Sequence, residues 1–141
     1  MRYGLVPLFI VLSAVLTWAL SGPCTESAIK QGDMPAADDA FSYMPPYGKP
    51  VIGKPAIKAA NEKSFSDRSN IQRSWVGEHR IVPSSSGDMA YEYGTMHMSY
   101  DSKQDGHQEF EAVILRVYKS KDGACQEVAL TMQPLEERNE H

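Results

Sequence analysis

The chain is predicted to be an α+β domain: a curved antiparallel sheet of four to five strands, wrapped as a cone-like cup around one short helix. Three observations predict it. Residues 89–100, 108–119 and 124–132 read as three successive strands. Glycine-containing turns around Gly106 and Gly123 join them, which favours antiparallel neighbours. A fourth strand, 71–82, and a single amphipathic stretch, 55–65, precede them, so the sheet has one helix to cover it.

The elements follow from the N-terminus. Arg2 gives a short positive start, and the 16 residues from Leu5 to Leu20 carry no charge. That length falls short of the ~20 residues a bilayer span needs and suits the apolar region of a secretory signal peptide. Ala19-Leu20-Ser21 has a small-x-small pattern, which sets cleavage after Ser21 and makes the protein secreted or periplasmic. The alternatives are an uncleaved leader as N-terminal anchor, the only membrane association expected, or a lipid on Cys24, which Pro23 disfavours. The layout is then 1–21 signal peptide, 22–37 irregular linker, 38–133 α+β domain and 134–141 charged tail.

Losing Arg2 with the leader turns the formal charge of −4 into −5, and no more than two basic residues are adjacent. A nucleic-acid partner is therefore not expected. Cys24 and Cys125 are the only cysteines. An oxidising compartment would allow them to bridge, tethering the linker to the sheet; the alternative is a buried free Cys125 and an incidental Cys24. Two cysteines without close spacing do not make a zinc site. No metal and no cofactor is expected.

Gly22, Pro23, Gly32 and Pro35 break up residues 22–37, leaving at most one helical turn near 27–31. Residues 40–44 suit a short strand with Phe41 and Tyr43 on one side. Three prolines in 45–50 exclude regular structure there. Pro55 is tolerated in a first helical turn, and Ile57, Ala60, Ser64 and Phe65 then fall near one face. In strand 71–82, Trp75, Gly77, His79 and Ile81 share a side. In 89–100, Tyr91, Tyr93 and His97 share one side, and Ala90, Glu92, Gly94, Met96 and Met98 the other. Both sides hold apolar groups, so alternation alone leaves the core face open. Phe110, Ala112, Ile114, Arg116 and Tyr118 alternate with Glu111, Val113, Leu115 and Val117, and Asp122-Gly123 is a tight-turn signal before the last strand.

Ser86-Gly87-Asp88-Met89-Ala90-Tyr91-Glu92-Tyr93-Gly94-Thr95, then Ile114-Leu115-Arg116-Val117-Tyr118-Lys119, then Lys121-Asp122-Gly123, resemble the C-terminal half of SnoaL-like proteins. These form an uncharacterised branch of the nuclear-transport-factor-like and ketosteroid-isomerase-like superfamily. Asp38-Asp39-Ala40, Met44-Pro45-Pro46, Gly53-Lys54-Pro55-Ala56-Ile57 and Ser74-Trp75 fit the same pattern upstream, so the resemblance spans residues 36–132. It implies a bent sheet enclosing a pocket at its open end. Family members include isomerases, cyclases and dehydratases, and the fold does not choose among them. The chain departs from the pattern at Tyr118, Cys125 and Thr131. It also lacks the long first helix, with only 16 residues between Ser21 and Asp38. That leaves part of the inner face to be covered by a second copy, a homodimer, or by residues 22–35 as a plug.

The resemblance implies a carboxylate base and oxyanion donors if the chain is an enzyme. Candidate bases are Asp39, Glu92, Glu109 and Glu111; candidate donors are Tyr91, Tyr93, Tyr118 and His97. The bland alternatives are a turn role for Asp39, solvated sheet surface for the three glutamates and packing for the tyrosines. His79 and His97 lie on strands expected to be neighbours, but no third metal ligand has a placed position; His107 and His141 are read as solvated. The leading function is an exported SnoaL-like domain that binds a small apolar molecule, or a non-catalytic assembly module, with Trp75, His79, Tyr91, Tyr93, His97 and Tyr118 lining the pocket. The alternative is an isomerase- or cyclase-like enzyme that abstracts a proton beside a carbonyl, with Asp39 as base.

Overall fold

A computed structural model of the chain describes residues 22–32, 34–44 and 48–135. The segment expected to be a signal peptide, residues 1–21, and residues 136–141 of the charged tail therefore lie outside the described residues. The elements are α1 (Glu26–Lys30), β1 (Ala36–Tyr43), β2 (Val51–Ile52), α2 (Lys54–Phe65), β3 (Arg68–Pro83), β4 (Met89–Ser102), β5 (Gly106–Lys121) and β6 (Ala124–Pro134).

The six strands form one curved, unclosed sheet in the order β2-β1-β6-β5-β4-β3. Strands β3 to β6 are the expected antiparallel meander. Strand β1 starts at Ala36, earlier than its apolar residues suggest, and joins β6 in parallel, with β2 antiparallel on its far side. Helix α2 touches β1 and β2 at one edge and β3 at the other. A 12-residue helix is about 18 Å long. Six strands at ~4.8 Å spacing are wider than that when flat, so the sheet must curl to bring both edges to the helix.

Bulges assist the curl. Register shifts between Val76 and His79 in β3, where Gly77 adopts φ +67. A β-bulge increases local bend and twist, and glycine takes this backbone conformation without a Cβ clash.

The register assigns every strand residue to a face. The inner face carries Ala90, Glu92, Met96 and Met98 of β4, opposite Tyr118, Arg116, Ala112 and Phe110 of β5. It holds two apolar clusters. Met96, Met98 and Ile114 form one, with Trp75, Phe110, Leu130 and Met132 packed against it. The other is Cys24, Ile29, Ala90, Tyr118 and Cys125, joined by Met34 and Ile81.

The second cluster exists because residues 22–35 dock on the sheet. Thr25 caps α1 by accepting from the Ala28 amide at 3.2 Å. The amides of Gly22 and Cys24 donate to the carbonyls of Ser86 and Gly87, and the Glu127 amide donates to the Pro35 carbonyl. Cys24 and Cys125 are disulfide-bonded across a Cα–Cα distance of 5.0 Å. Of the alternatives left open by the sequence, the bridge is the one formed. The segment read as an irregular linker is a short strap, fixed at both ends, and of the two covers the sequence left open for the inner face it supplies the plug at one end of the cup.

Candidate functional site

The inner face is apolar at both ends and charged between them. Glu92 of β4 stands directly opposite Arg116 of β5. The two lie one step along the strands from the strap-covered Ala90–Tyr118 pair. Glu92 is 5 % exposed. Its Oε1 lies 2.8 Å from His79 Nε2. Its Oε2 accepts from the Tyr118 hydroxyl at 2.6 Å and from Arg116 Nη1 at 3.3 Å. Arg116 also faces Glu127, with Nε 3.6 Å from Oε2. That Nε is buried and has no hydrogen-bond partner among the described residues.

Burial works to raise the Glu92 pKa, but the hydrogen bonds from Tyr118 and His79 and the charge of Arg116 outweigh it. The carboxyl is held below its ordinary value. Burial and the bond to Glu92 push the Tyr118 phenol far up, so it remains a donor. Burial opposes the Arg116 charge too, yet Tyr118, Glu127 and Glu92 around it raise its pKa above the ordinary arginine value. An ionised carboxylate can only accept. His79 Nε2 therefore carries the hydrogen in its bond to Glu92, and a neutral ring then has Nδ1 as its free acceptor.

The aromatic half of the site follows from backbone irregularity. Trp75 pairs with Met96 and His79 with Gly94, because the bulge at Gly77 takes up the extra residues between them. This makes the two rings neighbours on one face. They stack at 3.8 Å with planes 7° apart. Gly94 makes room for the stack: a Cβ there would lie 3.1 Å from Trp75 Cε3 and 3.0 Å from the Glu78 carbonyl. The His79 side chain keeps 21 % exposure, so the ring is the part of the network that solvent reaches. The arrangement can orient an imidazole for accepting a proton or a hydrogen bond, beside an aromatic plane and an apolar wall. Glu92 already accepts from three donors, so it suits the role of orienter rather than base.

The six residues expected to line one pocket fall on two faces. Trp75, His79 and Tyr118 are on the inner face. Tyr91, Tyr93 and His97 are on the outer one, in register with Val82, Arg80 and Ser74. Tyr91 and Tyr93 stack on each other at 6.0 Å and are 44 % and 37 % exposed. His79 and His97 therefore cannot share a ligand; His97 instead pairs with Glu109 at 3.1 Å. Asp39 is 73 % exposed on its side chain and is ion-paired with Lys121, whose hydrogen bond holds its carboxyl below the ordinary value. Among the described residues it makes no hydrogen bond or ion pair with Glu92, Arg116, His79 or Tyr118. Sequence reasoning held Glu92 as a candidate base against a solvated-surface alternative and overlooked Arg116. The signal was there: Arg116 interrupts the inward series Ala112, Ile114, Tyr118, and a cation on an apolar face requires a buried anion.

Outside this network, a cleft of about 120 Å3 lies under α2, lined by Ser42, Met44, Val51, Ile57, Asn61 and neighbours. Among the described residues no group of three or more His, Cys, Asp or Glu side chains is placed to hold a metal ion.

No family model and no curated protein matches the chain. Solved structures do. A ketosteroid isomerase-like protein from Erwinia carotovora atroseptica is 15 % identical over 72 % of this chain and 77 % of that one, with a TM-score of 0.59. The hexachlorocyclohexane dehydrochlorinase LinA-type3 from Novosphingobium barchaimii is 15 % identical over 72 % and 69 %, at 0.60. A Caulobacter vibrioides protein with a cystatin-like fold is 10 % identical over 72 % of each chain, at 0.59. At such identities the likeness is one of fold, and it agrees with the order and spacing of the sequence segments quoted above: this chain has the cone-like fold of the SnoaL-like and ketosteroid-isomerase-like superfamily.

Proposed function

We propose that this chain is an exported domain that binds a small, mostly apolar molecule on the inner face of its sheet. The observation that carries the reading is the Glu92–Arg116–His79–Tyr118 network at the end of an apolar wall. Burying an ion pair is costly, and here Glu92, backed by Arg116 and Tyr118, holds one partly exposed imidazole against a tryptophan. Pockets for small molecules combine a mainly apolar lining with a few fixed polar groups. Met96, Met98, Phe110 and Met132 supply the lining and His79 the polar contact. Export is supported by the leader's sequence and by the Cys24–Cys125 bridge, since disulfides persist in oxidising compartments.

Trp75 provides the test. Trp18 lies within residues 1–21, so the cleaved chain has Trp75 as its only tryptophan. Titrating the cleaved protein with 8-anilinonaphthalene-1-sulfonate should give saturable energy transfer from Trp75. Met98→Arg should abolish it, while Tyr91→Arg should leave it intact. Transfer lost in Tyr91→Arg but not in Met98→Arg would refute an inner-face site.

A second reading is acid–base catalysis beside a carbonyl, favoured by the 2.8 Å His79–Glu92 contact. His79 then replaces Asp39 as the base, because the Asp39 carboxylate is taken up by Lys121. Deuterium exchange at the carbon next to the carbonyl of a cyclic ketone, followed by NMR, would report it. The enzyme reading requires exchange that His79→Ala removes and fails if the wild-type protein gives none.

A further inference from the structure

The end of the cup opposite the strap carries two arginines without a counter-charge. Arg68 and Arg73 of β3 stand in register with Ser102 and Met98 of β4, which puts both on the inner side. Arg68 is half-buried and Arg73 exposed. Both are held on aromatic rings. The Arg68 guanidinium lies 4.2 Å from the centre of the Tyr100 ring and 5.6 Å from that of Phe65, the last residue of α2. The Arg73 guanidinium lies 5.5 Å from the same Phe65 ring. Tyr100 meets Phe110 edge-on at 6.4 Å, so this rim is continuous with the apolar wall of Met98 and Phe110. Of the four arginines among the described residues, Arg80 pairs with Glu78 and Arg116 with Glu92 and Glu127. Arg68 and Arg73 form no salt bridge there, although the chain holds 18 acidic against 14 basic residues. The acids at this end are engaged elsewhere: Asp67 with the Ser102 hydroxyl, and Asp101 with Asn70 and His107.

We propose that the molecule received by the inner face is an organic acid, its carboxylate or sulfonate held by Arg68 and Arg73 at this rim and its apolar body lying along Met98 and Phe110 towards His79. This rests on binding at the inner face, as proposed above, and names the class of molecule bound. Stacking on a ring occupies the face of a guanidinium and leaves the N–H donors at its edge free. Arginine binds oxyanions through pairs of such donors, and stacking fixes where they point. Two guanidiniums against one phenyl ring repel each other, and a bound anion relieves that repulsion. The dimensions suit a single small molecule. Arg73 stands opposite Met98 and His79 opposite Gly94, so the two are about 13 Å apart along the strands. A fused-ring skeleton or a medium-length acyl chain fills that distance. A second acid group at the far end is disfavoured, because Glu92 and Glu127 already surround Arg116 there. A nucleic acid is excluded as the anion, since two arginines on an acidic chain supply too few phosphate contacts.

Two probes test the assignment: 8-anilinonaphthalene-1-sulfonate and N-phenyl-1-naphthylamine, the same molecule without its sulfonate. Each is titrated into the cleaved, disulfide-bonded protein, with energy transfer from Trp75 as the readout. The sulfonate should bind about tenfold or more tighter than the neutral amine. In Arg68→Gln/Arg73→Gln its affinity should fall to within about threefold of the amine's, while the amine, which reports an intact inner face, binds as to wild type. Arg73→Gln alone, at an exposed position, keeps the comparison open if the double variant unfolds, and should lower the ratio by about threefold or more. Arg80→Gln removes an arginine from the outer face and should leave the ratio unchanged. Equal affinities in the wild-type protein, an undiminished preference in the Arg68 and Arg73 variants, or an equal fall in Arg80→Gln would each overturn the organic-acid assignment and leave inner-face binding standing. Energy transfer from neither probe would overturn both.

Discussion

At the scale of single residues, the account turns on Glu92. The carboxyl is held below its ordinary value of 4.5 in the folded chain, so it binds fewer protons there than when unfolded. Its contribution to stability is complete above that ordinary value and is lost as pH falls through the lower, folded one. Urea denaturation between pH 7 and pH 3 should therefore show stability falling on the acid side, and Glu92→Gln should flatten that fall. Tyr118→Phe removes a hydrogen bond to a charged, buried acceptor and should cost about 1.5–3 kcal/mol at pH 7. Arg116→Met should cost more, about 3–5 kcal/mol, because it strands a buried carboxylate. Such roles were poorly legible in the sequence. Glu92 has Tyr91 and Tyr93 beside it and Ala90 and Gly94 two positions away. The bulkier aromatics suggest the inside, yet they stand on the outer face. Small residues occupy the inner positions because the Trp75–His79 stack lies over Gly94. Gly94→Ala should disturb that stack, seen as a change in Trp75 emission in the cleaved chain, with a stability loss of about 1–3 kcal/mol from overpacking.

At the scale of elements, the meander, the helix and their order were legible, and the strap only as one of two alternatives for covering the inner face. Helix α2 begins where Gly53 and Pro55 predict, and the turns at Gly87, Gly106 and Gly123 fall where the sequence marks them. These signals are local, so a sequence contains them. Helix α1 has five residues, too few to form by its own propensity. It is held by Ile29 in the second core cluster, by backbone bonds to the β3–β4 turn and by the disulfide, all of them non-local. The bridge closes a sequence separation of 101 residues. On the loop-entropy model, removing it should lower stability by about 2–5 kcal/mol. Cys24→Ser/Cys125→Ser in guanidinium denaturation checks this. Hydrogen exchange on the same variant should localise the loss, with the amides of residue 24 and Ile29 losing protection before those of β4 and β5.

At the scale of the whole molecule, a strongly bent sheet divides one set of alternating residues into two surfaces of different character. The inner surface is closed at one end by the strap, spanned by α2 and centred on a buried charged network. The outer surface is an apolar band with charged ends. Fold class and the β3–β6 meander could be read early because turn signals and strand lengths specify them, whereas the two-residue β2 brings the sheet to six strands instead of the expected four to five. Which face is concave could not, because it depends on α2 and the strap packing on the same side, and neither announces its side in the sequence. The central claim is that the inner surface is the one that receives a ligand. Chemical-shift mapping of backbone amides tests it most directly, because neighbouring residues on each strand report opposite faces. With 8-anilinonaphthalene-1-sulfonate added to the cleaved protein, the account predicts the largest perturbations at His79, Met96, Met98 and Phe110. Perturbations centred instead on Tyr91, Tyr93 and Leu115 would contradict it.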